Sequence, residues 1–197
     1  APGTNLEIGL PEKHRWMNAR FVTQRGTTYI ANLPTEEVFT SPHRNYAEGV
    51  VTASMPLSYG GVLIENFGLR FKDGKVVDAW ADSGLETLEG ILETDEGARH
   101  LGEVALVPNS SPISQSGLLF FNTLYDENAS SHMAIGRAFS FTLSDWELRK
   151  DEDLEKAGMN QSLTHVDFMV GSEEMNIDGV KENGSVEAIL HAGEWVS

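Results

Sequence analysis

His165 and Asp167 stand two apart in the segment 164–170, THVDFMV. In an extended chain, alternate side chains share a face, so this pair projects together while Val166, Phe168 and Val170 project the other way into apolar packing. A buried aspartate is costly unless it is paired or holds a metal. The two residues are therefore either a hydrogen-bonded couple in a satisfied polar patch or one nitrogen and one oxygen ligand of a divalent ion. Other polar groups sit in equally apolar company. Glu103 lies in LGEVALVP beside Val104, Leu106 and Val107, Glu37 lies in PTEEVFTSP between a proline-bounded turn and a short apolar strand, and His132 lies in DENASSHMAIG. Two glutamates, two histidines and an aspartate suit a two-metal hydrolase centre, in which paired ions polarise a carbonyl and activate water. Spacing leaves open whether the five converge. A glycosidase-type pair of carboxylates is the weaker alternative, because it gives the histidines no role.

The remaining chain bounds what could hold such a site. It has 197 residues, 40% of them hydrophobic and 22% charged, which is enough for the core of one large domain or two small ones. With no cysteine, any metal must be held by carboxylate, imidazole, phenol or backbone oxygen, a set that favours hard or borderline divalent ions. A formal charge of −16 repels nucleic acid and anionic membrane surfaces. No run of about 20 apolar residues and no leader-like pattern is present, so neither a membrane partner nor secretion is expected.

Strand and turn signals are dense. Thr27–Leu33, Gly49–Met55, Gly61–Phe71 and Lys75–Trp80 read as strands, the last two joined by an Asp-Gly turn in KDGK. Ser83 and Glu86 fit a capping box ahead of a helix whose Leu85, Leu88, Ile91 and Leu92 share a face. Gly102–Pro108 and Gly117–Tyr125 (GLLFFNTLY) read as buried strands. Possible caps at Asn128 and Ser130 put His132 in the first turn of a helix. Ser144 and Glu147 suggest another, DWELRKDEDLEKAG, stopped by Gly158. Thr164–Val170 is then a strand, followed by a hairpin turning at Asn183-Gly184. The sum is an α+β fold dominated by antiparallel or mixed sheet with a few flanking helices. His14, His43, His100 and His191 read as surface residues, with His43 and Arg44 as possible substrate contacts.

Four phrases in order, NLPTEEVFTSP, LGEVALVP, LYDENASSHMAIG and NQSLTHVDFMVGS, resemble the M29 family of metal-dependent aminopeptidases. The likeness runs from GTNLEIGLPEKHRW to HAGEWV, nearly the whole chain. It implies a single metal-binding catalytic domain over residues 1–197, like the C-terminal domain of such enzymes, without the N-terminal α/β domain that family members carry. Residue by residue it implies Glu37, Glu103, His132, His165 and Asp167 as ligands of two divalent ions, zinc, cobalt or magnesium, with Glu103 or Glu37 as the catalytic base. The implied reaction is release of N-terminal amino acids from peptides with a free N-terminus, by a cytoplasmic homodimer. The family's tyrosine at the end of the HIALGxAY type of segment is Phe139 here, in HMAIGRAF, and phenylalanine can neither ligate nor hydrogen-bond. The alternative is a catalytically inert, metal-stabilised dimerising fragment.

Overall fold

A computed structural model describes residues 2–30, 33 and 35–196. Among them the chain runs β1 (Asn5–Ile8), β2 (Met17–Asn18), β3 (Arg20–Val22), β4 (Thr28–Ile30), β5 (Val38–Thr40), β6 (Ala47–Thr52), β7 (Leu57–Tyr59), β8 (Val62–Ile64), β9 (Gly68–Lys72) and β10 (Lys75–Trp80). It continues through α1 (Leu85–Leu92), β11 (Leu101–Leu106), α2 (Pro112–Ser116), α3 (Thr123–Asp126), β12 (His132–Gly136), α4 (Asp151–Lys156), β13 (His165–Met169), β14 (Ile177–Val180), β15 (Val186–His191) and β16 (Glu194–Trp195). The described pairings are antiparallel. This is the expected α+β architecture of antiparallel sheet with short helices.

A five-stranded sheet of order β13-β12-β11-β5-β2 forms the centre, next to a four-stranded sheet of order β1-β6-β9-β10. Strand periodicity explains the central sheet's two characters. Val104, Leu106, Met133, Ile135, Val166, Phe168 and Val170 point one way, into a core shared with Val51, Phe67, Leu69 and Phe71 of the neighbouring sheet region and Leu88, Ile91 and Leu92 of α1. The opposite face carries the polar candidates.

The turns follow from their residues. Asp73 and Gly74 both take positive φ between β9 and β10, and Gly184 does so between β14 and β15, as Asp-Gly and Asn-Gly hairpins require. Several boundaries differ from expectation. The segment 61–71 is two strands rather than one, and the 27–33 strand spans only Thr28–Ile30, its Ala31 and Asn32 lying outside the described residues. The capping box at Ser83 is not made: Gly84 in the left-handed region caps α1, and the Ser83 hydroxyl turns to the Leu63 carbonyl. The helix expected after Ser144 is split into a single 3-10 turn at Trp146–Leu148 and α4, which stops before Gly158 as read.

Two further expectations fail near the polar face. Gly117–Tyr125 is neither strand nor buried. Gly117 ends α2 in the left-handed region, Asn122 caps α3, and Leu118, Phe121 and Leu124 are each more than half exposed. His132 opens strand β12 rather than a helix, because Asn128 belongs to a 3-10 turn and Ser130 is already extended. Among the described residues, no helix is long and apolar enough to cross a membrane.

Candidate metal centre

The polar face is assembled by register. Glu103 on β11 and Asp167 on β13 both lie opposite Ala134 of β12, and His165 lies opposite Gly136. Residues directly across antiparallel strands share a face. Ala134 therefore separates two carboxylates with a side chain too small to fill the space between them. His132, two residues earlier on the same face, lies opposite Ala105, a second small side chain. Glu37 enters from the residue before β5.

A bulge aims Glu103. Leu101 and Glu103 would share a face in a regular strand, yet Leu101 is in the core and Glu103 on the polar face, because the register slips between them. Such a slip bends the strand and redirects a side chain. Gly102 permits it: a Cβ there would stand 2.3 Å from the Arg137 carbonyl oxygen. Gly136 answers a similar constraint at the far end of β12, with φ +102 and room for no Cβ against the Thr164 carbonyl.

All five expected residues come together. Ligand atoms of Glu37, Glu103 and His132 lie within 4.8 Å of one another, and those of Glu103, His165 and Asp167 do likewise. Glu103 belongs to both groups. Each imidazole is fixed by its far nitrogen: His132 Nδ1 donates to the Ser130 carbonyl at 3.0 Å and His165 Nδ1 donates to the Arg137 carbonyl at 2.7 Å. That tautomer leaves Nε2 of each ring to face the carboxylates, the orientation in which histidine ligates. His165 Nε2 is 3.2 Å from Glu103 Oε2 and 3.3 Å from Asp167 Oδ1.

A sixth group, which the sequence reading passed over, completes the cluster. Glu127 lies in the 3-10 turn between α3 and β12, and of the charged groups acting on its carboxyl Asp167 acts most strongly. Charge crowding shifts the protonation equilibria of the cluster. Burial, followed by the Asp167 charge and hydrogen bond, pushes Glu127 up to about 10. Burial pushes Glu37 up to about 7, with His132 opposing and Glu103 and Asp167 adding to the rise. Burial would lower His165, but hydrogen bonds and charge from Asp167 and Glu103 outweigh it and push it up to about 11. Burial would raise Asp167, yet the His165 hydrogen bond and charge hold its carboxyl below the usual range. Protons thus occupy a set of oxygen and imidazole donors that a divalent ion would suit. The donor set, with its two groups sharing one carboxylate, fits a pair of hard or borderline ions.

The other histidines stand elsewhere. His43 packs edge-on against Tyr46 at 4.8 Å and against Gly158, and Arg44 pairs with Glu155 at 2.9 Å. His100 was expected on the surface and is buried, with Nδ1 on the Arg44 carbonyl at 2.8 Å. Phe139 bears directly on the centre. Its ring lies 4.7 Å from the His165 imidazole and stacks on Phe141 at 5.3 Å.

Residues 1–195 match the family model for thermophilic metalloprotease (M29). The chain belongs to the M29 family. This M29 chain is 53% identical over 195 residues to aminopeptidase AmpS of Bacillus subtilis and 50% identical over 195 residues to aminopeptidase T of Thermus thermophilus. Each match covers 99% of this chain, and it covers 48% and 47% of those relatives, so the chain spans about half their length. The solved structure of wild-type AmpT from Thermus thermophilus superposes with a TM-score of 0.93 at 50% identity, over 100% of this chain and 48% of that one. A dihydroxypyridine dioxygenase from Pseudomonas putida shares the fold alone, with a TM-score of 0.50 at 14% identity over 83% of this chain and 44% of that one.

Proposed function

We propose that this chain carries the metal-binding catalytic domain of an aminopeptidase, which removes N-terminal residues from peptides at a centre of two divalent ions, zinc, cobalt or magnesium. The observation that carries the reading is Glu103, the one side chain common to both three-residue groups on a single sheet face. Glu37, Glu103 and His132 would hold one ion, and Glu103, His165 and Asp167 the other. Bound there, the ions would polarise the scissile carbonyl and bring water into its reactive form near neutral pH.

The chain's own residues do the rest. Ser130 and Arg137 carbonyls hold both imidazoles in the ligating tautomer. Glu103 is required by both groups, which leaves Glu37 as the carboxylate with a second oxygen to accept a proton from water and return it to the leaving amine. The cluster's negative charge attracts a free α-ammonium, which gives a preference for unblocked peptides. Phe139 supplies an apolar wall against His165 and no proton, so this chain lacks a phenol that the family uses there. That ring favours a second reading, metal binding without turnover.

Elemental analysis for bound metal, followed by assay of free and N-acetylated leucine p-nitroanilide with added cobalt, zinc or magnesium, tests both. Turnover of the free amine alone supports the aminopeptidase. Metal without turnover supports the inert reading, and a chain that takes up no metal defeats both.

A further inference from the structure

His165 depends on a peptide outside the sheet. Its Nδ1 donates to the Arg137 carbonyl at 2.7 Å, one residue past the end of β12. Strand pairing with β11 has already stopped there, Leu101 opposite Ile135 being the last pair. One buried side chain takes over. Asn160, 0% exposed, donates from Nδ2 to the Gly136 carbonyl at 2.5 Å and the Gly97 carbonyl at 2.8 Å, and its own carbonyl accepts the Ala138 N–H at 2.9 Å. A single residue thus holds both neighbours of Arg137. Two carbonyl acceptors settle which end of the amide faces them. Asn160 has little slack, because a Cβ on Gly97 would collide with the Gln161 carbonyl. His132 takes its orientation from Ser130, at the opposite end of β12 and outside this bracket.

We propose that Asn160 is a positioning residue of the candidate centre: by holding Gly136 and Ala138 it sets the Arg137 carbonyl, and through that carbonyl the His165 ring, for the group of Glu103, His165 and Asp167. The inference rests on the two-ion reading above. A histidine that ligates through one nitrogen keeps its aim through the partner of the other, so whatever fixes that partner fixes the ligand. The work needs a neutral group with two donors in one place, which a side-chain amide supplies and a hydroxyl or a carboxylate does not. Without it two buried carbonyls lose their donor, a loss large enough to shift the Gly136–Arg137 peptide and the carbonyl after it.

Cobalt titration by calorimetry tests this on the whole chain, below its melting temperature. The wild type is expected to bind two ions. Asn160→Ala is expected to weaken one binding step roughly tenfold and to leave the other within about threefold of wild type. In a His165→Ala background the same substitution is expected to cost no further affinity at either step, because it acts through that ring, whereas independent losses add. Asn160→Ser, which keeps one donor at most, stands in if the alanine chain fails to fold by circular dichroism. Leu88→Ala, on α1 and in the core, lowers stability without touching this bracket and is expected to bind both ions as the wild type does. Wild-type affinity in the folded Asn160 variant overturns the inference alone. So does an equal loss at both steps, a full further loss in the His165→Ala background, or the same loss in Leu88→Ala. If neither Asn160 variant folds, Asn160 serves the fold rather than the centre, and the inference falls. A wild-type chain that binds no cobalt overturns the two-ion reading and the inference with it.

Discussion

Glu37→Gln separates the cost of assembling the centre from its use. Glu37 is 8% exposed, and its pKa is raised from 4.5 to about 7, first by burial. A carboxyl whose folded pKa lies above its unfolded value favours the fold fully when protonated, below about pH 4.5, and that advantage is lost as pH rises through about 7. At about 1.4 kcal/mol per tenfold, the loss amounts to about 1 kcal/mol near pH 5 and about 3 kcal/mol near pH 8. Glutamine has the same shape and never ionises, so the metal-free variant should recover that energy. For a chain of this size, thermal unfolding in chelator at pH 8 should move up by roughly 6–12 °C, with a much smaller rise near pH 5. The same variant should bind metal more weakly, because a carboxylate ligand has become an amide. A variant that melts at or below the wild type at pH 8 without metal would rule out a buried, ionised Glu37 as a cost to the fold, as would a gain equal at both pH values.

Asp167→Ala should lower metal content and hydrolysis together, and in the metal-free chain the His165 imidazole should titrate lower than in the wild type by NMR, having lost one of its two carboxylate partners; full activity with unchanged metal would sink the assignment. Ala134→Leu fills the gap between Glu103 and Asp167, costing roughly 1–3 kcal/mol of stability in urea unfolding. It should also abolish uptake of at least one ion in elemental analysis. Phe139→Tyr places a phenol where the ring meets His165; kcat for leucine p-nitroanilide should rise roughly tenfold or more if proton transfer is limiting, and an unchanged kcat would leave the phenylalanine without consequence.

Much of the site is legible in the residues because side chains alternate regularly along β13. His165 and Asp167 on one face, with Val166, Phe168 and Val170 on the other, follow from period two alone, and the structure repeats that division. The departures from the sequence expectation have separate physical causes. The segment HMAIG is five residues of weak strand preference, and a run that short fits helix or strand equally well, so apparent caps at Asn128 and Ser130 tipped His132 toward the wrong element. GLLFFNTLY was apolar enough to suggest burial, but the turn formers Gly117 and Asn122 break it into a loop and a one-turn helix. Glu127 sat in Asp-Glu-Asn, which alone looks like a solvated turn. Only the pairing of β12 with β13 brings it to Asp167. Ala105, Ala134 and Gly136 are the small residues on the polar face, and small side chains at alternate positions beside acids mark space kept for something else.

The two-ion reading turns on Glu103, the side chain common to both groups. If one carboxylate serves both ions, its loss must empty both places, whereas the loss of Glu37 or Asp167 weakens one. Metal per chain, measured by elemental analysis after dialysis against cobalt, decides this in Glu103→Ala beside Glu37→Ala and Asp167→Ala. The expected result is two ions in the wild type, one in each of the latter variants, and none in Glu103→Ala. A Glu103→Ala chain that stays folded and keeps one or two tightly held ions would contradict a shared centre.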